Sequence, residues 1–255
     1  MPLSAPGISS IHGLRAGILG AALVALLAGP ASAQEPPTNL QVLPDDIPRE
    51  QLTQVMRGFT AALGVRCSSC HVGEEGQPLS TYDFASDDKP MKVKARAMLR
   101  MSMDINNTYL AELPGRREPN VRVTCVTCHR GVRRPLPIEA VVQETMANED
   151  LDFALQRYRE LREEHYGGFA YDFTDGPLIG LATGMAQGNP EAALKILATN
   201  LEFHPGSAST LFALAQAYDT SGNQAAAIEH YRKVLEVQPD NGRAQRRLRE
   251  LTGGA

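Results

Sequence analysis

Cys67-Ser68-Ser69-Cys70-His71 and Cys125-Val126-Thr127-Cys128-His129 hold all four cysteines of this 255-residue chain, and the reading of these two pentads decides the fold. A Cys-x-x-Cys-His string reads as covalent haem attachment. Two thiols three residues apart on one helical turn reach the vinyl groups along one edge of a porphyrin, and the next residue, histidine, falls under the iron. A four-cysteine zinc site wants its pairs about 15–20 residues apart, whereas Cys67 and Cys125 are 58 apart. Zinc also has no use for a histidine after each pair, and neither does a pair of redox disulfides. The expectation is two haem c groups. Cys67 and Cys70 bind the first and Cys125 and Cys128 the second, with His71 and His129 on the two irons.

Upstream of the first pentad, Leu52, Val55, Met56, Phe59 and Leu63 recur at three- and four-residue spacing. That spacing predicts a helix that starts near Pro48 and stops at Gly64. Met56 lies on its apolar face, eleven residues before Cys67, where a helix along the haem presents a thioether to the open side of the first iron. A plain core methionine is the alternative. A second pattern runs from Pro90 to about Leu110, with Met91, Met98, Met101 and Ile105 on one stripe and Met103 to the side; Pro114-Gly115 follows it. Helix, connection and Cys-x-x-Cys-His thus occur twice, as two copies of one haem-binding unit.

The string Leu63-Gly64-Val65-Arg66-Cys67-Ser68-Ser69-Cys70-His71 resembles the third haem segment of the tetrahaem cytochrome subunit of photosynthetic reaction centres. Arg100-Met101-Ser102-Met103-Asp104-Ile105-Asn106, with Tyr109 after it, is similar to the helix before that subunit's fourth haem. Cys125-Val126-Thr127-Cys128-His129-Arg130-Gly131, followed by Pro135-Leu136, resembles the fourth haem motif itself. The resemblance covers roughly residues 40–137. It implies that Met56 is the sixth ligand of the first iron, since the family's helix methionine stands at that position. In the family the fourth iron takes a histidine from a first half that has no counterpart here. Met101, which matches the family's helix methionine, is the expected sixth ligand of the second iron. Met98 and Met103 on the same helix, and His165, His204 and His230 further on, are its competitors.

After the second pentad, residues 138–148 read as a connection into a helix from Glu149 to Glu164, whose apolar edge is Leu151, Leu155, Tyr158 and Leu161. The sequence then repeats with a period of 34. Gly188-Asn189 returns as Gly222-Asn223, Ala192-Ala193 as Ala226-Ala227, Leu201 as Leu235 and Pro205 as Pro239. That period belongs to tetratricopeptide repeats, each a helix–turn–helix, and Arg243 to Leu251 reads as the polar-faced capping helix. Such an array is either a protein-docking groove or a buttress for the haem part.

Residues 1–33 pattern as a leader. Arg15 precedes the apolar run Ala16 to Leu27, and Ala31-Ser32-Ala33 closes the segment. These are a basic start, a short apolar stretch and a small-residue cleavage site, and the run is shorter than the roughly 20 residues that span a bilayer. The formal net charge is −4, or −5 once Arg15 is removed, which excludes a nucleic-acid binder of the phosphate-neutralising kind.

The whole reads as an all-α chain: a signal peptide (1–33), a diheme cytochrome c domain (34–138) and a helical region of tetratricopeptide-like repeats (139–255). The expected function is periplasmic electron transfer between redox protein partners, without a catalytic residue. A donor subunit associated with a membrane electron-transfer complex is the narrower form that the resemblance implies. A diheme enzyme such as a peroxidase is the competing class, and it requires an open or displaceable iron position beside acid–base groups.

Overall fold

The computed structural model describes residues 37–117 and 120–254, and every regular element among them is helical. The leader pattern lies outside the described residues. Helix α1, Arg49–Leu63, begins directly after Pro48, whose fixed φ suits a helix start. It ends on Gly64 in the left-handed conformation (φ 61°), and the Val65 N–H closes the end on the Thr60 carbonyl at 3.1 Å. Helix α2, Pro90–Asp104, has proline in its first turn and runs on through a wider π turn over Ile105–Tyr109. Helix α3, Cys125–His129, is the second pentad itself.

Seven further helices follow: α4 Ile138–Asn148, α5 Leu151–His165, α6 Gly176–Met185, α7 Pro190–Phe203, α8 Ala208–Thr220, α9 Gln224–Val237 and α10 Gly242–Thr252. Residues 138–148 are therefore not a connection. Ile138 and Val142 are fully buried, and Val141 and Met146 pack beside them, so α4 is a working member of the core. Helices α6 to α9 are the two helix pairs that the 34-residue period predicts, and α10 is the cap.

One cluster of buried side chains runs through α4 to α8, with Ile138, Leu155, Tyr158, Leu178, Ile196 and Leu214 among its largest members. A second joins α8, α9 and α10 through Phe212, Ala227, Tyr231, Val234 and Ala244. Five of the array's seven helix starts are closed by their own side chains. Asp150, Asn189, Ser207, Asn223 and Asn241 each accept a hydrogen bond from the backbone N–H three residues on, a contribution of about 1 kcal/mol per cap.

Residues 37–137 are built differently. Their buried hydrophobic residues are Ala62 and Val132 alone. Polar ties hold the segment instead, and they surround the two pentads.

Candidate haem-binding site

In the first pentad, Cys67–Ser69 form a 3₁₀ turn, and the amides of Cys70 and His71 both bond to the Cys67 carbonyl, at 3.2 and 2.9 Å. Both thiols and the imidazole are half-buried. The loop that follows folds back over His71: Asp83 N–H donates to the Val72 carbonyl at 2.9 Å, and the Phe84 ring meets the imidazole edge-on at 4.9 Å. Gly73 is required here, because a Cβ at that position would overlap the Tyr82 ring.

Lys92 of α2, 9% exposed, locks this loop. Its ammonium donates to the carbonyls of Phe84, Ala85 and Ser86 at 2.8–2.9 Å and pairs with Asp87 at 3.0 Å. Three carbonyl acceptors and a carboxylate are what a largely desolvated ammonium needs. Arg96 bonds to the same carboxylate at 2.8 Å and to the Asn39 carbonyl at 2.9 Å, which ties the segment before α1 into the cluster. Arg96, with Lys92 and Asn39, holds the Asp87 carboxyl far below the usual carboxylate range. Burial, and then the Lys92 charge, push the His71 pKa down. The imidazole is thus kept neutral, the form that binds a metal.

The second pentad occupies α3. Thr127 Oγ1 accepts from the Thr124 N–H at 3.0 Å, which closes the helix start. Cys125 and Cys128 lie one turn apart, the first half-buried and the second exposed. The ring Nδ1 of His129 is 3.0 Å from the Val132 carbonyl, an arrangement that places the proton on Nδ1 and leaves Nε2 with its lone pair free for iron. Burial raises the thiol pKa of Cys70 and Cys125.

Two connections set the pentads relative to the rest. The Asn106 side chain, in the π turn after α2, donates to the Val123 carbonyl and accepts from the Val123 N–H, at 2.7 and 2.8 Å. This two-bond clamp fixes the strand that enters α3. The Gly131 N–H donates to the Ala62 carbonyl at 2.9 Å, and a Cβ on Gly64 would run into the Gly131 carbonyl. The end of α1, four residues before Cys67, therefore shares a backbone seam with the residue pair that follows His129.

Met56 sits half-buried on α1, and Met101 is 46% exposed on α2, close to Met98 and Met103 in exposure. Of the histidines weighed for the second iron, His204 is bonded through Nε2 to the Phe173 carbonyl and His230 through Nδ1 to the Ala226 carbonyl. Each is held within the array by one ring nitrogen. His165 packs on Tyr171 and shares a groove of about 570 Å³ with Gly131 and Val132.

These residues fit a haem. Each pentad offers two thiols and an imidazole on one turn. Phe84, which meets the His71 ring, and Val121 and Val126, beside and within the second pentad, are exposed and give a flat apolar group surface to cover. Spacing along the chain reveals the thiols and histidines. It does not reveal Asn106, Lys92 or Gly131, whose partners are distant in sequence.

An all-helical chain that sets Cys-x-x-Cys-His on helical turns is a c-type cytochrome. A family model described as photosynthetic reaction centre cytochrome C subunit matches residues 18–166, over half of the chain, and the chain belongs to that family of electron carriers. The family implies covalently bound haem c. A tetratricopeptide repeat model matches residues 180–240. Among curated proteins, the chain is 36% identical over 104 residues to cytochrome c-554 of Chloroflexus aurantiacus, covering 40% of this chain and 23% of that protein. It is 31% identical over 97 residues to the photosynthetic reaction center cytochrome c subunit of Rubrivivax gelatinosus, covering 34% and 24%. It is 35% identical over 102 residues to the subunit of that name from Roseobacter denitrificans, covering 39% and 25%. The match thus spans about a quarter of each relative's length.

Proposed function

We propose that the protein is an exported, periplasmic diheme cytochrome that passes electrons between two redox protein partners. Cys67 and Cys70 hold one haem c and Cys125 and Cys128 the other. His71 and Met56 are the axial pair of the first iron, and His129 and Met101 that of the second. The observation that carries the reading is the seam between Ala62 and Gly131: it joins two attachment turns into one body, as a short electron path requires. Bound haem c supplies a one-electron ferric/ferrous couple. The chain's own residues do the rest. Val132 orients the His129 imidazole, Lys92 and Asp87 clamp the loop against His71, and Asn106 fixes the approach to Cys125.

Export rests on the leader pattern of residues 1–33. Among the described residues no helix is long and apolar enough to cross a membrane. The names of the relatives from Rubrivivax and Roseobacter support association with a membrane electron-transfer complex, and the helical array is the surface offered to a protein partner.

Mass spectrometry and spectropotentiometric titration of the exported protein test this directly. Two covalent haem adducts and two methionine–iron charge-transfer bands are expected. Met56→Ala removes one band and Met101→Ala the other; a band that survives its substitution sinks that ligand. Rapid turnover of added peroxide by the reduced protein would move the assignment to the enzyme class.

A further inference from the structure

The two attachment turns differ in the charge around them. From Arg66 to Arg96 five basic residues, Arg66, Lys89, Lys92, Lys94 and Arg96, balance Glu74, Glu75, Asp83, Asp87 and Asp88, with Arg66 paired to Glu75 and both Lys92 and Arg96 to Asp87. From Arg116 to Arg134 the balance is lost: Arg116, Arg117, Arg122, Arg130, Arg133 and Arg134 face a single acid, Glu118. All but Arg116 are exposed, and Arg134 is bound to Glu144 at 3.0 Å. Among the described residues, Arg117, Arg122, Arg130 and Arg133 have no carboxylate partner.

Arg130 adds an independent sign. It caps α3 in the left-handed conformation, φ 52°, where glycine is the default because a side chain costs about 1 kcal/mol. A strained arginine beside the axial histidine is hard to explain by folding alone. The two propionates of one haem carry two negative charges between them and neutralise at most two of these guanidinium groups, so a positive excess remains at the rim.

We propose that this arginine rim around the second attachment turn is the docking surface for an acidic redox protein, and that the second haem is the port for exchange with it. The inference rests on the two-haem reading above. Residues 138–255 carry 10 basic against 17 acidic side chains, and residues 37–137 carry 14 against 11. An extended polyanion such as a lipid surface is repelled by the array, whereas a compact acidic patch meets only the rim.

Stopped-flow oxidation of the reduced holoprotein by hexacyanoferrate(III) is the test. The trianion takes one electron from a ferrous haem, leaving ferric haem and hexacyanoferrate(II). For an exported protein of formal charge −5 once Arg15 is removed with the leader, whole-molecule repulsion makes this rate rise as salt is added. A local basic port makes it fall, by about threefold or more between low and high ionic strength. The triple variant Arg117→Gln, Arg122→Gln, Arg133→Gln, with haem count and visible spectrum intact, is expected to lose about tenfold in rate at low salt. Its rate with the trication tris(phenanthroline)cobalt(III) should not fall. A wild-type rate that rises with salt, with two haems present, overturns the proposal alone. A single adduct, with Cys125 and Cys128 unmodified, overturns it together with the two-haem reading.

Discussion

Residues 37–137 and residues 138–254 are both helical, but they are held together by opposite means. The array closes most of its helix starts with Asp, Asn or Ser side chains and fills its interior with its own apolar groups. In the haem segment, α1 and α2 start without a side-chain cap bond, and Ala62 and Val132 are the hydrophobic residues it buries. Its order comes from clamps: Asn106 on Val123, Lys92 on three carbonyls, Gly131 on Ala62. The difference teaches where each part's hydrophobic stabilisation resides. The array carries it in side chains, whereas the haem segment reserves its apolar surface for a group attached covalently.

The largest expected effect falls on the array. Ile138→Ala empties a site with no solvent exposure and should cost about 3 kcal/mol, seen as a lower denaturant midpoint by circular dichroism. The covalent haem count should not change. Loss of haem in this variant would break the contrast, because it would make attachment depend on the array's core.

Next comes Gly64→Ala. It forces a side chain into a left-handed position and against the Gly131 carbonyl, at a cost of about 2 kcal/mol. Thermal unfolding followed at the Soret band should shift down. Gly131→Ala is the control: its φ is also positive, but its Cβ would meet nothing within 4 Å, so its shift should be smaller. Equal shifts would show that the close approach contributes nothing beyond backbone strain.

The smallest effect is a pH dependence. Because the folded carboxyl of Asp87 titrates well below its unfolded value, the stabilisation from its ties is full above about pH 4, declines progressively below that, and is gone once pH falls through the much lower folded value. Limited proteolysis in the 83–88 loop should therefore rise on acidification in the wild type. In Asp87→Asn it should already be high at neutral pH and nearly flat. A wild-type loop as resistant at low pH as at neutral pH would remove Asp87 from the clamp.

Much of this was legible in the chain. Four cysteines in two pentads carry their chemistry in their spacing, the stop of α1 is written as Gly64, and a 34-residue period marks the paired helices. Helix α4 is hard to tell from a linker in the sequence, although Ile138, Val141, Val142 and Met146 have helical spacing. Prolines at 135 and 137 and the adjacent β-branched Val141-Val142 resemble a linker, and only burial against α5 and α6 decides the matter. The clamps were illegible for a different reason. Asn106 and Val123, Lys92 and Phe84, Gly131 and Ala62 are pairs made by tertiary approach, and no local pattern encodes them. The second iron's methionine shares its helix with two others of similar exposure, so periodicity alone does not single it out.

Pro137 stands directly before α4, and Ile138 is already locked in the array's interior. Eight residues, 130–137, separate His129 from that anchor, and two of them are prolines. A joint this short keeps the second haem turn close to the array, so a partner that gripped the repeats would also bear on the angle at which the proposed arginine rim is presented. Cutting this joint, or lengthening it with glycine and serine, would uncouple grip from aim while leaving both ends folded.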